Sequence, residues 1–113
     1  MELIIATFNI LAHKYTNFTR GHKTDKETEE EMKFRYVNIL NILKKVNADI
    51  YCLQEVDELA ATFLSSEFKK NDYNYYHVCQ DKNNGLLILW KKKYSLKKKF
   101  KKTITKKYYK SNK

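Results

Sequence analysis

The chain of 113 residues contains no proline, two glycines and two cysteines, and after Gly85 it contains no histidine, aspartate or glutamate. No apolar run approaches the ~18 residues that mark a membrane-spanning helix. The opening stretch "MELIIATFNILAHK" has no basic leader ahead of its apolar residues, so it reads as a strand and not as a signal peptide. Cys52 and Cys79 each lie in an apolar, strand-like run with no CxxC spacing and no histidine cluster nearby, which sets a zinc site aside. Nothing points to secretion, so the expectation is two buried free thiols in a reducing, cytoplasmic compartment. The absence of proline beside abundant Lys, Asn and Tyr fits biased codon usage, as in a viral or degenerate source, as well as it fits any selected function.

What is present is enough for a fold. Hydrophobic residues make up 42% and aromatics 14%, which excludes disorder throughout. A single domain of this size buries roughly 65% of its unfolded surface. The net charge of +10 suggests nucleic acid until it is located. Of the 23 Lys and Arg, 12 are lysines in residues 91–113, leaving 11 in residues 1–90 against all 13 acids. The first 90 residues are therefore close to neutral, and the basicity is a tail. The division expected is a domain over residues 1–96 and a lysine-rich segment over 97–113. Such segments bind polyanions through charge alone, which makes Lys91, Lys92, Lys93, Lys97, Lys98 and Lys99 the candidate nucleic-acid contacts. A solubilising end with no partner is the alternative.

Residues 2–11, "ELIIATFNIL", form a near-continuous apolar run, as in a strand buried on both faces. Residues 12–25 are polar and read as a loop. A helix follows, capped at Thr24 or Asp25, with Glu27, Glu29, Glu30 and Glu31 at the positive end of its dipole. Its apolar stripe runs Met32, Tyr36, Ile39, Leu43, Val46. "DIYCLQEV" is a second strand, and "ELAATFLSSEFKK" a second helix with Leu59, Phe63 and Leu64 on one side. "YNYYHVCQ" and "NGLLILWKKKYSL" are two more strands, joined by a hairpin whose positive-φ positions are Asn84 and Gly85. The apolar beat continues at Tyr94, Leu96 and Phe100. The class is α/β with at least two layers.

Two polar residues interrupt the first two strands near their C-terminal ends: Asn9 after "IIATF" and Glu55 after "IYCLQ". Ligands of α/β sheets gather at that edge. If the strands are neighbours in register, the two residues share a crevice, and a carboxylate beside an amide there suits Mg²⁺. Glu55 can equally be a solvated boundary residue, and Asp57 and Glu58 fit the first turn of the next helix. Gln54, alternating with Glu55, is expected on the opposite face of the sheet. Arg35 reads as a surface or structural helix arginine, and His13, His22 and His77 as incidental.

"TFNIL", the arginine-bearing "FRYVNILNILKKVNADI" and "CLQEVD", in that order, resemble the endonuclease/exonuclease/phosphatase superfamily. The wording "FNILAH" with "ADIYCLQEVD" is similar to its poly(A)-shortening branch of nocturnin and the angel proteins, and the likeness extends to "NGLLILWKKKYSL". The resemblance implies a four-layer αββα sandwich, of which this chain carries the N-terminal half as a mixed sheet with two helices. It implies Mg²⁺- or Mn²⁺-dependent hydrolysis of phosphodiester or phosphomonoester bonds, in RNA or poly(A) for this branch. By motif, Glu55 is the metal ligand, Asn9 helps hold the metal or the scissile phosphate directly or through water, and Arg35 has a structural role. Family members run to about twice this length or more. Their second half supplies a transition-state His, an Asp-x-Asn pair and a terminal Asp-His pair, none of which is found here.

The expected function is a truncated, metal-dependent nuclease-like domain that is inactive by itself. The alternative is a non-catalytic remnant that binds nucleic acid or a partner through its basic tail. Half a sandwich leaves one apolar sheet face without its partner sheet, a surface for a second chain. No membrane partner is expected.

Overall fold

The computed structural model describes residues 2–20 and 26–94. Its elements are β1 (Ile5–Asn9), a 3₁₀ helix (His13–Arg20), α1 (Glu29–Val46), β2 (Ile50–Gln54), α2 (Glu58–Lys69), β3 (Tyr73–Asp81) and β4 (Asn84–Lys91). The strands form one mixed sheet in the order β1-β2-β4-β3. β1 and β2 are parallel, with Asn9 opposite Gln54, while β2–β4 and β3–β4 are antiparallel. The fold is α/β, as the sequence led us to expect.

Both helices cover one face of the sheet. Tyr51 and Leu53 of β2 alternate inward with Leu87 and Leu89 of β4, and they share a core with Met32, Tyr36, Ile39, Leu40 and Leu43 of α1 and with Ala60, Ala61, Leu64 and Phe68 of α2. Two helix stripes differ from expectation. Val46 is exposed, because α1 ends there at Asn47 in the left-handed region, and Leu40 takes its place in the core. Leu59 is 54% exposed, since Ala60, Leu64 and Phe68 recur at helical spacing and define the buried side.

α1 starts later than expected. Thr28 is the N-cap: its hydroxyl accepts from Glu31 N, and the Glu31 carboxylate accepts from Thr28 N, a reciprocal capping box. Thr24 and Asp25, the caps read from sequence, lie outside the described residues. The polar stretch after β1 is also more ordered than a loop, since His13–Arg20 is 3₁₀ helix.

The face away from the helices carries Ile5, Ile50, Cys52, Leu86, Ile88, Trp90, Tyr76 and Val78, by the alternation along each strand. Ile88 lies opposite Tyr76 and Leu86 opposite Val78, and Leu86, Ile88, Trp90 and Val78 are buried. Exposed large apolar surface on this face is confined, among the described residues, to β1, where Ile5 is 62% exposed. The first strand is thus an exposed edge among these residues and not a strand buried on both faces. It has one neighbour, and only Ala6 of its side chains packs partly against the core.

The hairpin turns two residues earlier than expected. Asp81 pairs with Asn84, so Lys82 and Asn83 make the turn, and Asn83 N donates to Asp81 Oδ1. Gly85 is required by space: a Cβ there would meet Val78 O at 2.5 Å. β4 ends at Lys91, and Leu96, Phe100 and the 96/97 division lie outside the described residues. Both cysteines are free. Neither is buried as expected: Cys52 is half-buried and Cys79 is exposed, its Sγ 3.3 Å from His77 Nδ1, because strand alternation puts residues 77 and 79 on one side. No helix among the described residues is long and apolar enough to cross a membrane.

Candidate active site at the ends of β1 and β2

β1 and β2 are parallel neighbours, so their C-terminal ends lie together. There Asn9 Nδ2 donates to Glu55 Oε2 at 2.5 Å. Asn9 Oδ1 accepts from Leu11 N at 2.9 Å, so both ends of the amide are committed and its orientation is fixed. The contact depends on two non-glycine residues in the left-handed region, Leu11 (φ 62) and Glu55 (φ 54). An L-residue pays roughly 1–2 kcal/mol for that conformation. Backbone bonds hold it in place: Ile10 N donates to Gln54 O, and Val56 N donates to Gly85 O. Gln54 keeps the strand's alternation and donates to Thr7 Oγ1 on the face away from the helices. The positive φ of Glu55 turns its carboxylate toward Asn9.

Behind this pair lies a second layer. Arg35 forks onto Glu27 through Nε (2.9 Å) and Nη2 (2.6 Å), and its Nη1 donates to Ile10 O at 2.5 Å. It therefore fixes the chain just after Asn9. Glu27 also meets His13 Nδ1 at 3.2 Å. Burial acts to raise the Glu27 carboxyl, but Arg35 and His13 outweigh it and hold it below the usual carboxylate range. Asp57 is only 8% exposed. It caps α2 by accepting from Ala60 N, and it accepts from Tyr36 Oη at 2.9 Å. Glu58 N donates to Lys82 O, which ties the start of α2 to the hairpin.

The structure brings Asn9 and Glu55 together and places Arg35 beneath them. It does not bring the lysines there. Lys91, Lys92 and Lys93 sit at the far end of the sheet, where Lys91 Nζ lies 3.4 Å from Asp49 Oδ1; Lys97, Lys98, Lys99 and His22 lie outside the described residues. Glu27 and the Tyr36–Asp57 pair were missed in the sequence. Glu27 stands in the acidic run before the helix and was indistinguishable from its dipole-facing neighbours. Among the described residues no group of three or more His, Cys, Asp or Glu could hold a metal ion.

The Endonuclease/Exonuclease/phosphatase family profile matches residues 6–107. The chain belongs to that family. Within it, RNA exonuclease NGL2 of Saccharomyces cerevisiae is 38% identical over 56 residues, which is 48% of this chain and 11% of that protein. Among solved structures, ANGEL2, a 2′,3′-cyclic phosphatase, superposes with a TM-score of 0.60 at 24% identity, over 79% of this chain and 27% of its own. A family member from Bacteroides thetaiotaomicron gives 0.57 at 19%, over 79% and 31%. The chain thus spans about a tenth of NGL2 and about a quarter of ANGEL2. The two structures establish the shared fold.

Proposed function

We propose that this chain carries the metal-binding corner of a divalent-metal-dependent phosphodiesterase or phosphatase site, with RNA as the substrate class. The observation that carries the proposal is the Asn9–Glu55 contact at adjoining parallel strand ends, held by two left-handed residues. Strained backbone concentrates at functional sites. Glu55 Oε2 is held by Asn9, and no partner among the described residues engages Oε1. A single free carboxylate oxygen suits Mg²⁺ or Mn²⁺, which keep most of their waters when bound by one or two carboxylates. Glu55 would hold the ion, which supplies polarisation of a phosphoryl oxygen. Asn9 orients Glu55, and Arg35, through Ile10 O and Glu27, keeps Asn9 at the strand end. RNA as substrate is supported by one relative, an RNA exonuclease.

The chain's own residues supply no evident base for the attacking water: none of the three expected second-half motifs is present, and no acid or histidine follows Gly85. We therefore read residues 1–113 as insufficient for hydrolysis by themselves. The test is incubation of the purified chain with labelled oligo(A) and with a 2′,3′-cyclic-phosphate-ended RNA, with Mg²⁺ or with EDTA. No metal-dependent product is expected, and turnover abolished by Glu55→Gln would show the chain to be a complete enzyme.

A further inference from the structure

The outer side of α1 differs from that of an ordinary surface helix. Opposite the buried stripe of Met32, Tyr36, Ile39 and Leu43, such a helix carries charged and polar residues. Here Phe34, Val37, Asn38, Asn41 and Ile42 recur at i, i+3, i+4, i+7 and i+8, and all five are exposed. Phe34 is 71% exposed, Ile42 50% and Val37 45%. At ~100° per residue, Phe34 stands across the helix axis from the buried Leu43. Charge on this face is confined to its two ends, with Glu30 and Glu31 at the start and Lys44 and Lys45 at the finish. Lys33 lies at the flank, and Arg35 is committed to Glu27 and Ile10 O.

The end charges complement the helix dipole, but the dipole gives no reason for exposed apolar side chains between them. The face is, however, complementary to itself. A second copy laid antiparallel about a two-fold axis at Asn38 brings Phe34 of one against Ile42 of the other. Each lies four residues, about 6 Å, from the axis. Val37 then meets its own counterpart, and Asn38 meets Asn38, whose amide both donates and accepts. The same operation sets Glu30 against Lys44 and Glu31 against Lys45, and symmetry repeats each pair. A parallel arrangement would instead oppose acid to acid and lysine to lysine. The rest of the domain does not resist the approach, since residues 1–90 hold 11 Lys and Arg against 13 acids.

We propose that the outer face of α1 is the contact between two copies of this chain, packed antiparallel. One helix face makes a small interface, below about 1,200 Å² in total, so the dimer is reversible. The contact is independent of the metal at Glu55 and of any hydrolysis there. The test is sedimentation equilibrium of the full chain over a concentration series, in EDTA and with a reductant that keeps Cys79 from cross-linking copies. A monomer–dimer equilibrium is expected. Phe34→Ser, and separately Ile42→Ser, should weaken association at least tenfold with the far-ultraviolet circular dichroism unchanged, since both side chains are exposed. Lys44→Glu alone and Glu30→Lys alone each put like charges across the axis and should weaken association at least threefold. Mixed one to one, these two variants pair acid with lysine again and should associate within twofold of the parent. A parent chain monomeric at every concentration would overturn the assignment. So would association that keeps its affinity in both Phe34→Ser and Ile42→Ser, or charge variants that fail to restore each other.

Discussion

The Tyr36 hydroxyl donates to the Asp57 carboxylate at 2.9 Å and joins the middle of α1 to the first turn of α2. Burial, and then the charge of Asp57, pushes the Tyr36 phenol well above its ordinary range. The same carboxylate caps Ala60 N, so an acid two residues past Glu55 is committed to holding the helices together. In the proposed site it is Glu55, and not this acidic neighbour, that is assigned the metal.

Asp57→Ala should therefore cost stability rather than metal affinity. Loss of the cap is worth about 1 kcal/mol, and leaving the buried Tyr36 hydroxyl without its acceptor adds about 1–3 kcal/mol. Urea unfolding of the variant should show the sum, and Asp57→Asn, which keeps an acceptor at the cap, should recover part of it. A midpoint unchanged in Asp57→Ala would remove Asp57 from the structural account.

Acid should weaken the fold through Glu27 and Asp49. A hydrogen bond from Ile4 N, and then Lys91, holds the Asp49 carboxyl below its ordinary value, as Arg35 and His13 do for Glu27. A depressed folded-state value means that the stabilisation is full above the unfolded value and is lost as pH falls through the folded one. The window thus opens near pH 4.5 for Glu27 and near 3.8 for Asp49 and extends downward. Stability compared at about pH 6 and about pH 3 should fall less in Glu27→Gln than in the parent chain. Equal losses in the two would show that Glu27 carries no such linkage.

Gly85→Ala tests how the hairpin supports the site. The added Cβ meets the backbone oxygen of Val78, which cannot rotate away, and Gly85 O is the acceptor for Val56 N beside Glu55. A loss of about 1–3 kcal/mol, the usual range for overpacking, is expected by urea unfolding. Amide resonances of Val56 and Glu55 should shift with it. A variant as stable as the parent would mean that β3 and β4 part easily.

Much of the fold was legible because its periodicities are local. Met32, Tyr36, Ile39 and Leu43 mark α1 by spacing alone, and the apolar runs before Asn9 and Glu55 mark two strands. What failed depended on context. The start of α1 was hidden in a run of acids that all suit a helix dipole, and only coordinates single out the Thr28–Glu31 reciprocity. The hairpin register turned on whether Asp81 or a later residue closes the ladder. At the site, the strand-end positions of Asn9 and Glu55 could be read from sequence. The left-handed backbone that turns Glu55 toward Asn9 could not, since no glycine or asparagine stands there to announce it.

The most direct measurement is Mn²⁺ titration of the isotope-labelled chain, followed by paramagnetic broadening of its amide resonances. Broadening should begin at Leu11, Glu55 and Val56 and saturate with one ion. Glu55→Gln should abolish it, and Asn9→Ala should weaken affinity several-fold without abolishing it. Broadening that centres elsewhere, or that survives unchanged in Glu55→Gln, would contradict the assignment of a metal site to the ends of β1 and β2.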